Sequence, residues 1–358
     1  MKGNKGEWSE FYTFVKLLSD KKLYAADEGL EIIQELFFPL ISIIRDEPKE
    51  QYEYRISPDS DKVTIFSGEN SISVVDTDDL STKAKGIFDA IKFGSNSFAI
   101  PFADEIMNDF KVTTIKAGNN KKEDITLKIH DLNTGTIQKA GFSIKSMLGS
   151  PATLLNASTA TNFKYKISDC TDDLVLSTRN IDSKSKIRDR IAHLTDNGCT
   201  FEFSSVSSDV FSNNLSITDT ILPLILSELL LAYFSGKGSS ISDLSELALK
   251  DSKTLKKYKL SDASLRHKMK SFLHSIALGM VPASLWNGEM RAHGGYIIVR
   301  EDGELVCYHV YNADQFREYL YQNVKFDSPS STRHGYGIVY KEGNEFFFNL
   351  NIQIRFIK

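Results

Sequence analysis

Apolar residues recur at helical spacing over residues 5–19, where Trp8, Phe11, Phe14, Val15 and Leu18 share a face, and the spacing predicts an amphipathic helix. A second helix is expected over 26–44, from the run "LEIIQELFFPLISII" with Pro39 as a kink. Three short alternating runs, "EYRIS", "KVTIF" and "SISVV", read as strands, followed by helical patterns over 82–93 and 101–110. Residues 123–146 alternate, turn at "LNTGT" and alternate again, as a β-hairpin does, and "FKYKI" adds a strand. From 183 the pattern becomes helical, over 184–196, 218–235, 241–258 and 263–279. After Gly279, β patterns return in "GGYIIVRED", "ELVCYHVY" and "EFFFNLNIQIRF", with one helix, "ADQFREYLYQNV", between them. The expectation is an α/β chain: a mixed β-sheet flanked by helices in 1–182, a helical region in 183–280, and a β-rich region in 281–358 that packs back on the first.

Composition adds limits. A chain of 358 residues, 41% hydrophobic and 25% charged, can bury cores for two or three compact units. Cys170, Cys199 and Cys307 are far apart and form no CxxC pair, which fits reduced thiols in the cytoplasm and no zinc site. The N-terminus has no apolar h-region, and the greasiest run, "ILPLILSELLLAYF", is too short for a span and contains Glu228, so a buried helix and no membrane are expected.

The net charge of −4 excludes a protein that coats DNA without selectivity, yet the charge is uneven. Lys184, Lys186, Arg188 and Arg190 form one basic run, and Lys250 to Lys270 another, with Lys253, Lys256, Lys257, Lys259, Arg266 and Lys268. A solvated helix face explains such runs. So does a selective binder that is basic only where phosphates sit.

The hairpin carries the candidate chemistry. A symmetric hairpin about "LNTGT", with Asn133 and Gly135 taking positive φ, pairs Ile125 with Ile144 and Leu127 with Phe142 on an apolar face. The polar face then sets Thr126 beside Ser143 and Asp124 beside Lys145. Metal-dependent phosphodiester cleavage needs such a face: carboxylate oxygens for a hard cation such as Mg²⁺, and an ammonium for the reacting phosphate. A cross-strand salt bridge of ~0.2–1 kcal/mol would explain the same pair. One carboxylate is thin for a metal, and Ser143 adds no charge. Asn4 followed by Glu7 reads as a capping box, which accounts for Glu7, whereas no cap explains Glu10. Asp131 falls on the apolar side, in the turn sequence "DLNTG". Glu10 is the preferred second ligand beside Asp124, with Glu7 and Asp131 left open. His130, His267 and His309 have no metal-ligand spacing and read as packing or surface residues.

Asp124 followed by "SIK" at 143–145, with Glu10 in "GEWSE", resembles the PD-(D/E)xK nuclease core, except that Ser143 stands where an acid is usual. More specifically, "NKGEWSEFYTFVKLLSDKKLYAADE", "GFSIKSMLGSPATLLNAS", "TNFKYKI" and "LNIQIRF" resemble the HpaII family of type II restriction endonucleases along most of the chain. That resemblance implies a mixed-sheet PD-(D/E)xK core with Asp124, Ser143, Lys145 and Glu10 as its catalytic set. It also implies Mg²⁺-dependent double-strand cleavage at 5′-CCGG between the two cytosines, sensitivity to cytosine methylation, and a cognate methyltransferase in the same cell. Whether a monomer or a homodimer cuts stays open.

Guanine is read best by a bidentate arginine in the major groove. "NGEMRAHGG" offers Arg291 and His293, and "SPSSTRHGYG" offers Arg333 and His334; ordinary polar surface loops would look alike. Thr153 and Asn156, in the hydroxyl- and amide-rich "SPATLLNASTATNF", suit phosphate oxygens. The rival readings are another PD-(D/E)xK nuclease, for repair or junction resolution, and a DNA-binding protein without catalysis. A sequence-defined ladder of fragments that depends on Mg²⁺ separates all three.

Overall fold

Helix α1 (Lys5–Asp20) begins as its first residues require. The Asn4 side chain accepts from the Glu7 amide at 3.0 Å while Glu7 Oε2 accepts from the Asn4 amide at 2.9 Å, so two otherwise orphaned donors are satisfied reciprocally. Trp8, Phe11, Phe14, Val15 and Leu18 are fully buried, as their spacing predicts.

The computed structural model describes residues 1–116, 123–132 and 134–357. The expected helix over 26–44 is absent; after strand β1 (Lys22–Ala26) the chain forms strand β2 (Ile32–Asp46) there instead. The run is rich in isoleucine and phenylalanine, which suit a pleated surface, and Pro39 is a changeover rather than a kink. Up to Pro39, β2 pairs with β1; from Leu40 it pairs with the hairpin, with a register shift between Leu40 and Ser42. A residue without an N–H is tolerated at such an irregularity. Strands β3 (Gln51–Ile56), β4 (Lys62–Ser67) and β5 (Asn70–Asp76) and helices α2 (Leu80–Phe93) and α3 (Ala103–Asp109) follow close to expectation. The hairpin is β6 (Ile125–Asp131) and β7 (Thr136–Ser146).

These strands join a nine-stranded mixed sheet ordered β1, Leu305–Tyr308, Gly295–Val299, β7, β6, β2, β3, β4, β5. Gly295–Val299 runs parallel to β7, and Leu305–Tyr308 parallel to β1. That return of the chain sets the division into two compact units, Met1–Ala152 with Met290–Tyr319, and Thr153–Glu289 with Leu320–Ile357. The breaks do not fall at 182 and 280, because the β-rich C-terminal region is shared: two of its strands complete the first sheet, and Glu345–Asn351 pairs with Asn162–Ser168 in the second unit.

In the second unit, the helix expected over 218–235 is Leu222–Phe234; a helix not foreseen, Asp209–Thr218, precedes it, and a strand not foreseen, Thr200–Val206, pairs with Asn162–Ser168. Among the described residues no single helix is long and apolar enough to cross a membrane; these two pass by length and composition only together, bent by 107°. Leu222–Phe234 is largely buried within its unit, the outcome expected of the greasiest run.

Candidate functional site

The hairpin register differs from expectation by two residues. Ile125 pairs with Phe142, Leu127 with Ala140 and Asp131 with Thr136. The turn is centred earlier because Asp131 organises it: its carboxylate accepts from the Thr134 amide (3.3 Å) and hydroxyl (2.8 Å), its carbonyl accepts from the Gly135 amide (2.8 Å), and Gly135 takes φ 68°. Asn133, expected to share that role, lies outside the described residues. A shift of two preserves every facing, since side chains alternate with period two. Ile125, Leu127, Ile129, Phe142 and Ile144 are accordingly buried in the core.

On the other face Asp124 therefore meets Ser143, not Lys145. Asp124 Oδ2 accepts from the Ser143 hydroxyl at 3.0 Å and from the Ile144 amide at 2.7 Å, while its own amide donates to the Phe142 carbonyl at 2.8 Å. Two donors on one oxygen fix the carboxylate, and among the described residues none reaches Oδ1. Lys145 lies one step further along the same face, its Nζ 5.5 Å from the centroid of the Tyr296 ring. Asp124 and Lys145 form no ion pair among the described residues, so the salt bridge that would have explained them structurally is not made.

Tyr296 is the residue sequence reasoning missed. Its strand pairs in parallel with β7, with Tyr296 opposite Ser143 and Ile298 opposite Lys145. The ring is 2% exposed, and burial, with Asp124's charge second, pushes its phenol pKa up. The only signal for it was a tyrosine heading the otherwise aliphatic "YIIV".

The two competing acids have structural duties. Glu7 closes the cap of α1 and pairs with Lys116 at 3.1 Å; its hydrogen bond to the Asn4 backbone, and then Lys116, hold its carboxyl below the usual range. Asp131 is 0% exposed and accepts from Gln138 (3.3 Å) and the Tyr311 hydroxyl besides its turn bonds. Glu10 is half-buried on α1; Ser9 beside it donates to the hydroxyl of Ser146 at 2.8 Å, so the turn that carries Glu10 lies against the end of β7 that carries Lys145.

Arg291 and His293 are exposed at the other end of β7. The His293 ring nitrogens face the carbonyls of Arg291 (3.2 Å) and Lys139 (3.1 Å), fastening that loop to the hairpin. With a rise of ~3.3 Å per strand residue, Lys139 and Lys145 are roughly 20 Å apart. Arg333, His334, Thr153 and Asn156 belong to the second unit. Arg333 is exposed and His334 half-buried in the short helix Ser331–His334, capped by Ser330. Thr153 pairs with Arg355 at a strand end, and Asn156 is exposed just beyond.

Among the described residues no three of His, Cys, Asp and Glu gather as a metal-binding group. A cation such as Mg²⁺ keeps several waters and needs only one or two carboxylates from the protein. Asp124, fixed through Oδ2 and with no described residue donating to Oδ1, has the chemistry for it.

The description "HpaII restriction endonuclease" belongs to the family that matches residues 4–356. Type II restriction enzyme HpaII of Haemophilus parainfluenzae is 41% identical over 357 residues, 99% of this chain and 98% of that protein. No solved structure matches this chain.

Proposed function

Because this chain belongs to the HpaII restriction endonuclease family and is thus a type II site-specific deoxyribonuclease acting on DNA, we propose that it makes a Mg²⁺-dependent double-strand cut at 5′-CCGG, between the two cytosines. The observation that carries this reading is the relation to a type II restriction enzyme over 99% of this chain and 98% of that enzyme. We read the hairpin, α1 and the sheet around them as a PD-(D/E)xK core in which Ser143 replaces the usual acid. Asp124 and Glu10 would hold the cation, which when bound lowers the pKa of a water and offsets charge on the scissile phosphate. Ser143 and the Ile144 amide keep the Asp124 carboxylate in one orientation. The Lys145 ammonium, beside the buried Tyr296 ring, stabilises charge on the reacting phosphate. Arg291, His293, Arg333 and His334 are the candidates for base readout, and Thr153 and Asn156 for phosphate binding. Cytosine methylation in the site blocks cutting, and a methyltransferase of the same specificity protects the host.

Plasmid DNA incubated with the protein, with Mg²⁺ and with EDTA, tests this. The expected result is a ladder whose ends all fall at CCGG and that vanishes with EDTA. Fragments of undefined ends, or ends at another sequence, defeat the specificity; cutting in EDTA defeats the metal.

A further inference from the structure

We infer that a groove in the second unit, between Lys184–Arg188 and Ser328–Ser331, seats the phosphate backbone of DNA, a site distinct from the candidate base readers Arg291, His293, Arg333 and His334. It is a cavity of about 470 Å³ lined by Lys184, Lys186 and Arg188 and by Ser328, Ser330 and Ser331. Its lining contains no carboxylate. A second cavity in the same unit, about 590 Å³, has Glu228 and Asp251 set against its Arg188, Lys237 and Lys253, so charge there is mixed. On a chain of net charge −4, a lining of three cations and three serines with no acid among them is an anion site by composition. Ammonium, guanidinium and hydroxyl groups are the donors that phosphate oxygens take.

The neighbouring acids are each engaged with a cation, Asp327 with Arg355 at 2.7 Å outside the lining. Asp182 pairs with Lys186 (3.1 Å) and Asp189 with Arg188 (3.5 Å), but both acids lie outside the lining, and exposed pairs of this kind are weak, leaving a phosphate little to compete with. Gly236, at φ 81°, leaves room for Arg188: an added Cβ there would come within 2.9 Å of Arg188 Cδ. A side chain at that position would displace the arginine.

Arg190, fourth in the same basic run, does different work. Buried, it donates to the carbonyls of Gly337 (2.7 Å), Ile181 (2.8 Å) and Arg179 (3.2 Å). It thereby fastens the helix Lys186–Asp196 to the segment just after Arg333 and His334. The groove is thus a rigid neighbour of the Arg333 loop, and a DNA backbone seated there fixes where that loop meets the duplex. This last step rests on the reading of Arg333 as a base reader; the phosphate seat itself does not.

The test is binding of two short duplexes, one with a single CCGG and one without, at stepped salt and without divalent metal. In the variant K184Q/K186Q/R188Q the slope of log affinity against log salt should flatten by about 0.9 for each phosphate no longer neutralised, some two to three in all, on both duplexes. Lys184→Gln alone, at an exposed position, should flatten it by about 0.9 if the triple variant melts early. Unchanged slopes overturn the proposal, and so does a loss confined to the CCGG duplex. Cleavage of the CCGG duplex by the unaltered protein with Mg²⁺ is read separately: its failure defeats the specificity reading and leaves the slope to decide the groove.

Discussion

Asp124 and Asp131 stand on the same hairpin in opposite surroundings, and the difference fixes what each substitution does. Asp124→Asn keeps the shape and the acceptor for Ser143 but removes the charge that would hold the cation, so cleavage should fall by several orders of magnitude with the fold intact. Asp131→Asn keeps a carbonyl oxygen for Thr134 but loses an acceptor among Gln138 and Tyr311. It should still cut, at a cost of about 1–2 kcal/mol in stability. Digestion and melting of the two proteins check both; an active Asp124→Asn protein would mean the chemistry lies elsewhere. Lys145→Ala should abolish turnover while CCGG binding, measured without metal, stays near that of the unaltered protein. That facing was legible in the sequence because alternation survives a shift of two residues. The exact partner was not, because where the turn is centred depends on bonds that Asp131 makes within it.

At the scale of elements, the first helix separates a cap from a candidate ligand. Glu7→Gln should cost ~0.5–1 kcal/mol of stability, since the capping box loses charge near the helix N-terminus and the pairing with Lys116, and should leave Mg²⁺ dependence unchanged. Glu10→Gln should raise the Mg²⁺ concentration needed for half-maximal cutting and leave the melting temperature alone. Metal titration and melting on both proteins expose a reversed assignment. The cap was readable because Asn4 and Glu7 are three residues apart and need nothing else. β2 was not, because "LEIIQELFFPLISII" satisfies helical and strand periods alike, and what decides is non-local: β2 exchanges one partner for another at Pro39. The pairing of Gly295–Val299 with β7 was equally hidden, being set by strands far apart in the chain. Gly295 shows how tight it is, with φ 104° and an added Cβ only 1.7 Å from the Tyr308 carbonyl oxygen. Gly295→Ala should therefore loosen the strand that carries Tyr296, lowering both stability and turnover.

On the scale of the whole molecule, each compact unit carries one of the two tryptophans, Trp8 in the first and Trp286 in the second, so their unfolding can be followed separately. His309 should make the first unit sensitive to acid. It is 4% exposed among Phe38, Phe142 and Tyr311, and its Nδ1 has no hydrogen-bond partner among the described residues. Burial lowers its pKa from 6.5 to about 4, with Asp131 raising it and His293 lowering it by smaller amounts. Between those values the unfolded chain binds a proton that the folded chain refuses, so unfolding becomes easier as pH falls. Stability from this group is fully present above about 6.5, declines through the interval, and is lost below about 4. The loss is on the order of 3 kcal/mol. In a Trp286→Phe protein, where Trp8 alone reports, the denaturant midpoint of the first unit should drop across that range. His309→Phe, which keeps an aromatic ring in the same cage and cannot take up a proton, should flatten the dependence. If the midpoint falls equally in both proteins, the acid sensitivity belongs to carboxylates rather than to His309.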